Sequence, residues 1–140
     1  MKRVTLLLLA LMLFLASFTT SYAEESDMAT DYLNTRYVDL TRLSASLNIN
    51  GTTASCSGTA KTLISTDTIK MSMYLQKHTS TGWNIIRSWY KQGIRLVTLD
   101  KSESGLSSGT YRVFLYTEVY DSNGNFVESA YAYSKLKTIP

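Results

Sequence analysis

One cysteine, one histidine and one proline are all that 140 residues provide of each, and each scarcity excludes something. A lone Cys56 cannot close an intramolecular disulfide; its thiol is either buried and inert or available to link two chains. A zinc centre needs about three or four ligands, which His78 and Cys56 do not supply between them. A Ser-His-Asp arrangement would need His78 as its base. The segment Lys77-His78-Thr79 reads as a loop with no acid or cysteine near it in sequence, and a histidine so placed is a solvated side chain. Basic residues form no stripe either: Arg36, Arg42, Lys61, Lys70, Lys77, Arg87, Arg95 and Arg112 stand singly, and only Lys135 and Lys137 make a local pair. No metal, cofactor or nucleic-acid partner is expected.

What is present begins with Lys2 and Arg3, an apolar run from Val4 to Phe18, and Thr19-Thr20-Ser21-Tyr22-Ala23 before Glu24-Glu25. The small residues Ser21 and Ala23 fit a cleavage site, which predicts a secretory signal peptide over 1–23. The run is shorter than the roughly 20 residues a helix needs to cross a bilayer, so no stable membrane insertion is expected once the signal is cleaved. There is no cysteine between Thr19 and Ala23 to carry a lipid, and no hydrophobic tail before Pro140. The expected location is extracellular or cell wall-associated. Cleavage leaves 12 basic residues against 11 acidic ones, a net charge near +1, so the basic balance of the whole chain lies mostly in its leader. Residues 24–36 are polar and unpatterned, a flexible or helical lead-in, and 37–140 make one domain large enough to bury a core without disulfides.

From Leu43 onward the pattern has period two. Leu43, Ala45, Leu47 and Ile49 alternate with Ser44, Ser46, Asn48 and Asn50 up to the turn residue Gly51. About Thr53 to Lys61, the inward set is Ala54, Cys56, Gly58 and Ala60, so small that a bulky partner must approach closely. Ile69, Met71, Met73 and Leu75 mark a third strand, and Ser80-Thr81-Gly82 turns the chain into Trp83 to Lys91. Trp83 and Trp89 share parity with Ile85 and Arg87 and one or both read as core, unless a bulge reverses the parity. Ile94 to Leu99 is short, Tyr111 to Tyr120 is the strongest strand, and Asp121-Ser122-Asn123-Gly124-Asn125 is a hairpin turn into Phe126 to Lys137. Seven strands without a helical period predict an all-β antiparallel sandwich.

Leu106-x-x-Gly109-x-Tyr111 resembles the tyrosine corner of immunoglobulin-like sandwiches, where a tyrosine hydroxyl bonds to backbone a few residues upstream. The resemblance implies a single immunoglobulin-like β-sandwich in which Cys56 faces Val113 across the core, at the places of the two cysteines of an antibody domain. Met71 and Met73 stand where that domain has its buried tryptophan, which sets this chain apart from antibodies proper. More broadly, the signal peptide, Gly51-Thr52-Thr53-Ala54-Ser55-Cys56-Ser57-Gly58, the Leu75 to Trp89 segment and Gly109-Thr110-Tyr111-Arg112 resemble an uncharacterised family of small secreted proteins of Gram-positive bacteria. The resemblance covers most of residues 36–137. It implies location and fold, and no catalytic residue.

Paired carboxylates for glycoside cleavage could in principle come from Asp67, Asp100, Glu103, Glu118, Asp121 or Glu128; most of these flank turns, and only Glu118 and Glu128 lie in strand bodies, where Arg112 and Lys135 are available to pair with them. No enzyme is expected. The candidate functional surface is aromatic. Phe114, Tyr116 and Tyr120 are opposite in parity to Val113, Leu115 and Val119, Tyr131 and Tyr133 share a face, and Tyr74 points outward from the third strand. If these strands are neighbours, one sheet presents a tyrosine-rich outer face flanked by Arg112 and Lys135, on which a cell-wall or environmental glycan could stack. The bland alternative is that tyrosine simply suits strands. The competing function is a structural or protein-interaction module that pairs with a protein partner or with itself.

Overall fold

The computed structural model describes residues 38–140; the expected signal peptide and lead-in lie outside the described residues. Burial in alternate positions organises the first three strands. Leu43, Ala45 and Leu47 are buried on β1 (Leu40–Asn50), Ala54, Cys56, Gly58 and Ala60 on β2 (Thr53–Thr62), and Ile69, Met71, Met73 and Leu75 on β3 (Thr68–Thr79). There follow β4 (Gly82–Ile94), β5 (Leu96–Glu103), β6 (Gly109–Tyr120), β7 (Phe126–Tyr133) and β8 (Lys137–Ile139). All pairings are antiparallel. They form a three-stranded sheet, β1-β2-β5, and a five-stranded one, β4-β3-β6-β7 with β8 also on β6. The inward sets of both sheets make one sandwich core.

Eight strands appear where seven are expected because the last one breaks. Ser134 takes over both bonds to Val113: its N–H donates to Val113 O at 2.9 Å and its hydroxyl accepts from Val113 N at 2.8 Å. The chain then re-enters as β8 beside Gly109, Thr110 and Tyr111.

At the head of β6, the Tyr111 hydroxyl donates to Ser107 O at 2.7 Å, the bond a tyrosine corner requires, and Leu106 N–H ties the same loop to Thr52 O. A Cβ at Gly58 would stand 2.6 Å from Leu115 Cδ1, so glycine is what lets the two sheets meet there. Two residues back on each strand lie Cys56 and Val113, both buried. Burial, with a smaller contribution from Glu103, pushes the Cys56 thiol up to about 11, so it stays protonated at neutral pH.

β4 departs from its expected alternation. Its register on β3 shifts so that Leu75 pairs with Arg87 but Gln76 with Ile85, leaving Ile86 as the extra residue of a bulge. Trp89 therefore packs on the core, while Trp83 and Ile85 turn to the outer face; Trp83 is not a core residue. His78 lies within β3 rather than in a loop, its ring edge-on to Trp83 at 5.0 Å. Arg87 and Lys91 point the other way, toward β5: Arg87 Nε lies 2.9 Å from Glu103 Oε2, and Lys91 Nζ donates to Thr98 O at 2.7 Å.

One end of the sandwich gathers acid. Asp67 is 1% exposed and its Oδ2 has no hydrogen-bond partner. Burial, then the neighbouring charges of Asp39, Asp121 and Glu128, raise its pKa. A carboxyl whose folded pKa exceeds its unfolded value contributes stability below the unfolded value, about 3.9, that is lost as the pH rises through the folded one. Unfolding free energy is therefore expected to fall as the pH is raised from about 4, and Asp67→Asn to flatten that slope. Denaturant midpoints measured across this range check the sign; an unchanged slope in the variant would discard it.

Candidate functional face

Registers across the five-stranded sheet place the outward side chains in rows. From β4 to β7 these read Ser88, Tyr74, Phe114, Tyr133; then Tyr90, Ser72, Tyr116, Tyr131; then Gln92, Lys70, Glu118, Ser129; and finally Ile94, Thr68, Tyr120, Phe126. Above the first row stand Ile85, Gln76 and Arg112, with Trp83 opposite His78. Strands about 4.8 Å apart bring such neighbours into ring contact. All six aromatics singled out from the sequence, and Arg112, thus share one face.

They do not share one environment. Tyr74, Phe114 and Tyr133 lean on one another in a line across three strands, at centroid distances of 5.7 and 5.1 Å and interplanar angles of 21° and 25°. Tyr74 and Phe114 are half-buried and form the floor. Tyr131 and Tyr133 are the open rings, 62% and 48% exposed, inclined at 65° to each other. Tyr131 also tilts against Phe114 at 6.2 Å. Such contacts contribute about 0.5–1.5 kcal/mol each beyond burial, so the floor is stiff before any ligand arrives.

Arg112 is clamped. Its guanidinium carbon lies 4.0 Å from the Trp83 ring centre and 4.2 Å from that of Tyr133, and its Nε donates to Gln76 Oε1 at 2.8 Å. The acids that the sequence offered as its partners are engaged elsewhere. Glu118 accepts the hydroxyls of Tyr116 at 3.3 Å and Tyr120 at 3.0 Å, and this bond is the first cause of a raised Tyr120 pKa. Lys70 sits over the Tyr120 ring at 4.1 Å. Glu128, on the opposite face of the sheet, accepts backbone N–H groups of Val38, Asp39 and Leu40. Glu118 and Glu128 therefore form no carboxylate pair across the hairpin.

Three members of the face were not found in the sequence. Trp83 was hidden by the β4 bulge, Tyr90 lies on the same strand, and Phe126 closes the far row against Tyr120, their centroids 5.8 Å apart. The outer face of the three-stranded sheet is different in kind: Ser46, Asn48, Ser55, Ser57, Asp100 and Ser102 line a hydroxyl-rich depression in which Ser57 Oγ donates to Asp100 Oδ1. Among the described residues no helix is long and apolar enough to cross a membrane, and no group of three or more His, Cys, Asp or Glu gathers as a metal would require.

Compared with known proteins, the chain matches no protein-family model and no curated protein.

Proposed function

We propose that this is a non-catalytic binding module acting outside the cell, whose outer five-stranded face holds a glycan. The carrying observation is the pair of open rings, Tyr131 and Tyr133, set on a floor of packed aromatics beside a fixed cation. Sugar rings present C–H faces to aromatic rings, and tyrosine hydroxyls and a guanidinium supply the hydrogen bonds that orient them. The secretory leader read from residues 1–23 supports the location. Strand order β1-β2-β5 and β4-β3-β6-β7, together with the Tyr111 corner, supports a place among immunoglobulin-like sandwiches, and the motif resemblance supports kinship with small exported proteins of Gram-positive bacteria.

Strand addition is the less favoured route to a protein partner. Inward-pointing charges on an edge strand discourage pairing with another chain, and β4 carries two, Arg87 and Lys91, each bonded to β5. A second reading keeps the same face but pairs it with another copy; exposed Ile85 and Ile94 favour it, because sugars make little use of aliphatic margins.

The test is retention of the purified protein on peptidoglycan and a panel of insoluble polysaccharides, beside Tyr131→Ala/Tyr133→Ala with its fold verified by circular dichroism. Retention that drops about tenfold in the variant is expected. A protein that passes every matrix and sediments as a dimer dissociated by the same substitutions would replace the glycan reading with the second one.

A further inference from the structure

Arg112 stands far along the sheet from the acids. Buried Asp67 precedes Thr68, the partner of Tyr120 on β6, and Asp39, Asp121 and Glu128 gather around it. Arg112 lies at the other end, eight residues along β6, or about 27 Å away at strand rise. Glu118 is roughly 20 Å from it along the strand and already carries two tyrosine hydroxyls.

Arginine on a sheet normally meets a carboxylate. Here the guanidinium plane is covered by Trp83 on one contact and Tyr133 on another, and Nε is committed to the Gln76 amide oxygen. No hydrogen bond or ion pair with the described residues engages the Nη groups. Two stacking contacts and one anchored N–H fix the plane, so little conformational freedom remains to be lost when an anion binds. A planar group with two oxygens matches that fork in geometry as well as charge.

We infer that Arg112 is the anion subsite of the face, and that its ligand class is an acidic polysaccharide: a uronate carboxylate takes the Nη fork while a sugar ring of the same chain lies on Tyr133 and Tyr131. The inference rests on the glycan reading above and names its substrate class. Neutral glycans would use the rings alone and leave the fork unfilled.

The experiment is affinity electrophoresis and pull-down of the protein on polygalacturonate, on the same polymer fully methyl-esterified, on poly(glycerol phosphate), and on a neutral β-glucan. Wild type is compared with Arg112→Gln, Arg112→Lys and Tyr131→Ala. The expected result is binding to polygalacturonate that weakens about tenfold or more on esterification or in Arg112→Gln, a difference matching one lost charge-assisted hydrogen-bond pair. It should weaken further as salt is raised. Arg112→Lys, which keeps the charge but loses the fork, should recover only part of the affinity. Equivalent Arg112-dependent binding to poly(glycerol phosphate) would support the anion subsite and reassign its source to phosphate. Equal binding to acidic, esterified and neutral polymers, lost in Tyr131→Ala but indifferent to Arg112, would overturn the subsite and leave the glycan face standing. No binding to any polymer would overturn both.

Discussion

Truncating Leu115 to alanine is expected to lower the unfolding free energy by about 3 kcal/mol, and a second substitution, Gly58→Ala, is expected to restore part of the loss instead of adding to it. Leu115 is fully buried on β6, a central strand of the five-stranded sheet, and across the core it meets Gly58, which also lies close to Met71 of the neighbouring β3. Removing its branched end leaves a void that rigid strands on both sides cannot close, which places the cost within the range of roughly 2–5 kcal/mol for buried Leu→Ala. Gly58→Ala in the otherwise native protein has the opposite defect. Its Cβ would stand 2.6 Å from Leu115 Cδ1, and a side chain without exposed surface has nowhere to swing, so overpacking should cost about 1–3 kcal/mol. In the double variant the new methyl enters the space Leu115 vacates. Chemical denaturation of the four proteins in the cycle measures the coupling, and a strictly additive result would falsify the contact as the determinant of sheet spacing.

The need for a bulky partner there was legible before the fold was known, since four small residues in a row of inward positions, Ala54, Cys56, Gly58 and Ala60, require something large opposite; that it is Leu115 was not. Strand faces in β1, β2, β3 and β6 were legible for a related reason: each has one side in the core and one in water, and alternation records the difference. β4 is an edge strand with both sides largely exposed, so composition hardly distinguishes them, and period two cannot register one inserted residue. The parity that joined Trp83 and Ile85 to Arg87 and Trp89 therefore held on only one side of Ile86: Trp89 packs on the core and Trp83 does not. Arg112 shows a second limit. The sequence offered Glu118 and Glu128 as acids for Arg112 and Lys135, whereas the contacts of Arg112 come from Gln76, Trp83 and Tyr133, each on a different strand. Glu128 was expected beside Glu118 across the hairpin; its parity, opposite to that of the outward Tyr131 and Tyr133, turns it inward instead, and no local pattern could supply its backbone donors at the head of the first strand.

Those donors make Glu128 the site of the second large effect. Its Oε1 accepts from Asp39 N at 2.8 Å and Leu40 N at 2.7 Å, and its Oε2 from Val38 N at 3.0 Å, so one side chain on β7 supplies the acceptors that a neighbouring strand would otherwise give the head of β1. Bonds from amide to carboxylate contribute about 1.5–3 kcal/mol each where water is excluded, but Val38 is exposed and the first residues of a strand can fray into solvent. Glu128→Ala is therefore expected to cost about 3 kcal/mol rather than the sum of three such bonds, with faster hydrogen exchange at the Leu40 amide. Glu128→Gln separates charge from geometry. Its carbonyl oxygen can keep Asp39 and Leu40, while its amide nitrogen turns a donor toward the Val38 N–H, for a loss of about 1 kcal/mol. One term opposes both losses: the Glu128 charge helps raise the pKa of Asp67, so neutralising it relieves some repulsion at neutral pH. It ranks there behind burial, Asp39 and Asp121, which makes the relief too small to reverse the order wild type, Gln, Ala. An alanine variant as stable as wild type, with Leu40 still protected, would mean that pairing with β2 alone holds the head of β1 and that the clamp is incidental.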